Sequence, residues 1–125
     1  MKSFIVLTAV VALSIFSAGC SKNDPSGKTY RGRLEITGAC MNYTIAVLAG
    51  DIDTSAIVVN WTDPATNKSY TNVFRLGSVC DFPATIKQGD EFDFIIDPSP
   101  EKSCVLCLAY YPTPSKSLSI KVTGK

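Results

Sequence analysis

Five cysteines and no histidine frame the chemistry open to this chain of 125 residues. Without imidazole it lacks the usual general base, the usual partner of a nucleophilic side chain and the commonest metal ligand. Paired carboxylates remain. Asp51 and Asp53 share a face if the backbone is extended, as do Glu91, Asp93 and Asp97. Residues two apart in a strand stand near the roughly 5–5.5 Å that a retaining glycosidase needs between its carboxyls. The same spacing describes the solvated side of a strand whose other side carries Phe92 and Phe94, and that is the reading adopted here. No calcium loop surrounds Asp51-Ile52-Asp53. Cys104-Val105-Leu106-Cys107 is a Cys-x-x-Cys, but reactive pairs of that kind open a helix, whose dipole lowers the thiol pKa. Here Leu108, Ala109, Tyr110 and Tyr111 continue as a strand-like run, which points to structural bonding. No catalytic residue, metal or cofactor is assigned.

The elements that position these residues begin with a leader. Lys2 supplies a positive start, Phe4 to Phe16 a short apolar run, and Ser17-Ala18-Gly19 the small residues that precede a cleavage site. The run is too short for a spanning helix, which needs about 20 apolar residues. With Cys20 at the cut, Ser17-Ala18-Gly19-Cys20 resembles the lipobox of bacterial lipoproteins. That resemblance implies removal of residues 1–19, diacylglycerol on the sulfur of Cys20, and a lipid-anchored place in the cell envelope, on the outer membrane. Residues 20–28, polar and rich in breakers, then read as a flexible tether to a single domain over residues 29–125. Lys22-Asn23-Asp24 is similar to the lysine-plus-acid surface signals of Bacteroidetes-type lipoproteins, with one acid where two are usual.

Cys40, Cys80, Cys104 and Cys107 remain, an even count that in an exported chain reads as two disulfides. A Cys₄ zinc site is the competing reading, weakened by the lack of a second knuckle. In a continuous strand Cys104 and Cys107 would lie about 10 Å apart, too far for one bridge. The pairings expected are then Cys40–Cys104 with Cys80–Cys107, or Cys40–Cys107 with Cys80–Cys104; a bulge or turn at Val105 would instead let Cys104 and Cys107 close locally and leave Cys40 to Cys80.

Period-two alternation runs from Tyr30 to Thr37, resumes at Tyr43, Ile45 and Val47, and returns in Ile57-Val58-Val59 with Trp61. Asp63 to Lys68 is a hairpin loop in which Pro64 presets a turn dihedral and Asn67 tolerates a left-handed one. Tyr70 to Leu76, then Phe92, Phe94 and Ile96, then Val105 to Tyr111, then Leu118, Ile120 and Val122 complete seven short strands. The fold expected is all-β, a small OB-like antiparallel barrel, with an immunoglobulin-like sandwich as the alternative.

Twelve Lys and Arg face eleven Asp and Glu, interspersed, with no basic stripe of the kind nucleic acid requires. Trp61, Tyr110 and Tyr111 are the candidate binding residues, because Tyr110-Tyr111-Pro112-Thr113-Pro114 offers rigid aromatic contact at low entropic cost. The function expected is a non-enzymatic binding or structural accessory module, anchored to the membrane through Cys20, with an envelope protein or glycan as partner. A small thiol-disulfide or hydrolytic envelope enzyme, or an inhibitor of a host or rival enzyme, is the alternative.

Overall fold

The computed structural model describes residues 28–100 and 103–125. The leader, Cys20 and all of the tether except Lys28 lie outside the described residues. The rest is all-β: β1 (Tyr30–Gly38), β2 (Asn42–Ala49), β3 (Val58–Thr62), β4 (Ser69–Leu76), β5 (Glu91–Ile96), β6 (Ser117–Leu118) and β7 (Ile120–Gly124). They form one sheet in the order β3-β4-β2-β1-β5-β7, with β6 attached to β4. Every pairing is antiparallel except β4 with β6.

β1 is central because its sequence alternates. Tyr30, Gly32, Leu34 and Ile36 are buried while Arg31, Arg33 and Glu35 face outward. Opposite it on β5, Phe92 and Phe94 point inward and Glu91 and Asp93 outward. Phe94 is fully buried and meets three other rings, with centroids at 5.4 Å to Tyr30, 5.9 Å to Phe74 and 6.0 Å to Phe92. Gly32 makes room for it: a Cβ there would stand 2.9 Å from Phe94 Cε1.

One sheet replaces the two that a sandwich requires. The expected barrel is approached but not completed. β6 contributes only two residues, paired with Arg75 and Leu76, and the chain bends at Ser119 so that β7 runs beside β5. Ser78 fixes that bend from within: its hydroxyl donates to the Ile120 carbonyl and accepts from the Ile120 N–H, both at 2.8 Å. The sheet thus curls round its core while β3 remains an edge.

The β3–β4 hairpin does not continue the curve. Asn72 adopts a left-handed φ of 53°, a conformation asparagine tolerates. Lys68 to Thr71 then line the same groove as Arg33, Glu35 and Ala46, so the hairpin lies over the outer side of β1 and β2. That cover explains why β2 is buried on both faces between Thr44 and Val47.

The strand expected over Val105 to Tyr111 is absent. Residues 103–110 have no regular structure, because Cys104 and Cys107 are bonded to the turns at Cys80 and Cys40 rather than laid along a strand. Cys104 and Cys107 do reach separate partners, although the continuous strand on which that expectation rested is absent.

Replacing Phe94 by Ala removes the ring on which Tyr30, Phe74 and Phe92 converge. Urea unfolding should show a loss of about 3–5 kcal/mol, larger than for Ala at the more peripheral Val122.

Candidate functional site

The two disulfides gather two turns and one segment without regular structure at one pole of the sheet. The first turn joins β1 to β2 through Ala39–Met41, where Cys40 and Met41 both have left-handed φ, 55° and 58°. Asn and Gly ordinarily fill such positions, and each non-glycine residue there costs about 1–2 kcal/mol. The turn is held in place by its neighbours. Asn42 Nδ2 donates to the Ala39 carbonyl at 2.7 Å and to the Ala109 carbonyl at 3.0 Å, and the Ala109 N–H donates to Cys40 Sγ at 3.2 Å. The second turn, Val79–Asp81, carries Cys80. Cys40 bonds Cys107 and Cys80 bonds Cys104, with Cα atoms 5.3 and 5.6 Å apart; this is one of the two pairings expected from sequence.

Between and beyond those bonds the segment is displayed. Val105 and Leu108 are 100% exposed, Tyr110 84% and Leu106 48%. No charge interrupts the chain from Ser103 to Ser115. Burial of such side chains is the ordinary outcome of folding, and a cluster of them left in water marks a contact surface. Beside both bridges runs a groove of about 510 Å³ lined by Met41, Tyr43, Phe82, Pro83 and Ile86. Its floor is set by Phe82, edge-on to Tyr43 at 6.0 Å and to core Phe92 at 5.5 Å.

Tyr110 and Tyr111 separate in role. Tyr110 stands in solvent, whereas the Tyr111 ring lies on Gly38, where a Cβ would come within 2.7 Å of it. The Tyr111 hydroxyl donates to Asp63 Oδ2 at 3.2 Å. Asp63 is buried at the root of the β3–β4 hairpin loop, and its other oxygen accepts from the Ala65 N–H at 2.8 Å. The loop closes as its sequence implies, with Asn67 left-handed at φ 62°. Tyr111 therefore latches that hairpin to the β1–β2 turn.

Trp61 pairs with Tyr70 across β3 and β4, their ring centroids 5.9 Å apart. Lys68 Nζ sits 5.3 Å from the Tyr70 ring centre. Lys68 and Tyr70 line a second, smaller groove of about 280 Å³ that also holds the Arg33–Glu35 ion pair. Burial, then the carboxylates of Glu35 and Asp63, push the Tyr70 phenol above its usual range.

Asp53, Glu91, Asp93 and Asp97 are all engaged by neighbouring groups. Asp53 accepts from the Ser55 N–H at 2.9 Å and its hydroxyl at 2.8 Å, bonds that lower its pKa. Glu91 and Asp93 flank Arg31 at 3.7 and 3.1 Å, and Asp97 accepts from the Ser99 N–H at 3.1 Å. Among the described residues no cluster of His, Cys, Asp and Glu could hold a metal ion.

Sequence reading missed Leu106, Leu108 and the groove. The signal present was the uncharged run itself, concealed by its strand-like composition. No family model, curated protein or solved structure matches the chain.

Two tests follow from the latch. Gly38→Ala drives a methyl group into the Tyr111 ring and the Asn42 carbonyl, and thermal unfolding should show a loss of about 1–3 kcal/mol from overpacking. The second test is titration. Burial and the Asp63 carboxylate hold the Tyr111 phenol above its ordinary value near 10.0. The folded state keeps that proton more tightly than the unfolded chain, so its contribution is full below about pH 10 and is lost as pH rises through the raised value. Melting temperature should fall more steeply above that pH in the natural chain than in Tyr111→Phe, with Tyr70 supplying the slope that remains.

Proposed function

We propose that the chain is an envelope lipoprotein, anchored through Cys20, whose β domain works as a non-catalytic binding module, with a protein partner received at the disulfide-held pole. The observation that carries this is the display of Val105, Leu106, Leu108 and Tyr110 in water on a segment bonded to the body at Cys104 and Cys107. A segment ordered before contact loses little conformational entropy on binding, so its apolar area converts efficiently into affinity. The lipobox Ser17-Ala18-Gly19-Cys20 supports the anchor. Two or more acyl chains hold a protein on a bilayer at about 0.8 kcal/mol per buried CH₂, which relieves the domain of any membrane-binding task. The two disulfides support an oxidising compartment.

The test has two parts. Cys20→Ser should accumulate as a precursor that retains residues 1–19, and mass spectrometry of the natural chain should find a lipidated N-terminal Cys20. Photocrosslinking from position 110 in intact cells should give a defined adduct that is lost in Leu108→Asp, while the melting temperature stays within about 1 °C, as exposed substitutions do. An adduct unchanged by Leu108→Asp and by Leu106→Asp removes the pole from the reading.

A further inference from the structure

We infer that the segment from Cys107 to Tyr110 is a substrate-like inhibitory loop for endopeptidases with an apolar primary specificity pocket, and that Leu108 is the side chain that enters the pocket. This rests on the pole being the contact surface, and it names the partner by its chemistry.

Leu108 is 100% exposed, yet the residues on either side of it are both fixed to the β1–β2 turn. Cys107 is bonded to Cys40. Ala109 is held through its N–H to Cys40 Sγ at 3.2 Å and through its carbonyl from Asn42 Nδ2 at 3.0 Å. Two residues on, Tyr111 is latched to Gly38 and Asp63. A large apolar side chain thus projects from a backbone without turn, bend or ladder pairing over residues 103–110, tied to the body on both sides. Extended peptides are recognised by addition to a strand edge beside a pocket. An endopeptidase cleft offers both together, and rigid loops seated in such clefts give some of the tightest protein complexes of standard size.

The chemistry of attack at the Leu108–Ala109 bond follows from the same ties. The enzyme's hydroxyl oxygen bonds to the Leu108 carbonyl carbon, the C–N bond breaks, and the hydroxyl proton passes to the Ala109 amine. Neither end departs. Leu108 remains on the body through the Cys107–Cys40 bond. Ala109 remains through Asn42, Cys40, Tyr111 and the β6 and β7 pairings that follow it in the chain. The tethered amine stays at high effective concentration beside the acyl carbon. Its return reforms the amide and restores the enzyme's hydroxyl, with no net uptake of water. Attack on the loop therefore ends in a held complex instead of a released product.

A bilayer is the other surface that accepts exposed leucines. The position of the loop argues against it. The chain enters β1 at Tyr30 from the tether side, and Gly38, beside the loop, is eight residues on, about 26 Å away at strand rise. The loop stands at the pole away from the anchored end.

The processed lipoprotein in detergent is titrated against chymotrypsin-type, elastase-type and subtilisin-type endopeptidases turning over small chromogenic peptides. The expected result is competitive inhibition of at least one of them with a constant below about 1 μM, weakened about thirty-fold or more in Leu108→Asp, as loss of a central anchor does. Leu108→Asp should melt with the natural protein. After long incubation the one nick should fall between Leu108 and Ala109, and the nicked chain should still migrate as one species on a native gel. Inhibition indifferent to Leu108→Asp, or rapid cleavage without inhibition of any panel enzyme, overturns the inference. A Leu108→Trp chain whose emission shifts to the blue on reconstitution into phosphatidylethanolamine–phosphatidylglycerol vesicles overturns it in favour of the bilayer. If inhibition fails while the position-110 crosslink still depends on Leu108, the binding module stands and the endopeptidase is excluded as its partner.

Discussion

The tie between the β1–β2 turn and the segment after Cys107 is the constraint on which the rest depends. A covalent bond spans 67 residues of sequence there. It holds the Asn42–Ala109 and Cys40–Ala109 contacts at fixed distance and brings Tyr111 onto Gly38. Through Tyr111 and Asp63 it extends to the β3–β4 hairpin. That hairpin in turn covers the outward side of β2. One cross-link, which confines the unfolded chain by about 4 kcal/mol in the loop-entropy account, therefore sets the positions of a turn, a displayed segment and a hairpin that no single hydrogen bond could organise.

The cover over β2 explains an otherwise odd feature of the interior. Thr44 is fully buried on the outer side of the strand, and its Oγ1 has no hydrogen-bond partner among the described residues. A buried unpaired hydroxyl costs about 1–3 kcal/mol. Asp63, equally buried, is in contrast supplied with donors from Ala65, Thr66 and Tyr111. The hairpin thus closes over one satisfied and one unsatisfied polar group, and the satisfied one is its point of attachment. The ion pairs Arg31–Asp93 and Lys125–Asp90 lie at the surface, where such pairs contribute about 0–1 kcal/mol, so the curled sheet rests on its rings and its cross-links.

What could be read in the sequence was what neighbouring residues decide together. Alternation from Tyr30 to Leu34 and from Phe92 to Ile96 placed both central strands and both faces, because each inward side chain is two residues from the next. A register shift after Leu34, by contrast, sets Ile36 opposite Thr44 on the covered outer side. Asp63, Pro64 and Asn67 marked the hairpin loop for the same local reason. The bend at Asn72 was invisible, since Tyr70 to Leu76 alternates straight through it and a single left-handed asparagine leaves no pattern. The run Val105 to Tyr111 has the composition of a strand, yet its course is set by Cys40 and Cys80, far away in sequence. Spacing spoke against a Cys104–Cys107 bond only if the run were a strand, and it could not choose between the two long-range pairings, because that choice depends on the curl of the sheet. Tyr111 belonged to a recognisable aromatic-proline motif, but only the absence of a side chain at Gly38 decides that it packs while Tyr110 projects.

The bend at Ser119 bears on the order in which the molecule can be made. The segment from Ser117 to Gly124 is paired on one side to β4 and on the other to β5, and Ser78 in the interior exchanges both its hydrogen bonds with Ile120. Synthesis from the N-terminus delivers this segment after every strand it must join. Until it arrives, β4 and β5 have open edges and the core phenylalanines lack one wall. A sheet that receives β6 and β7 last along the chain therefore completes its core only when residues 117–124 have joined.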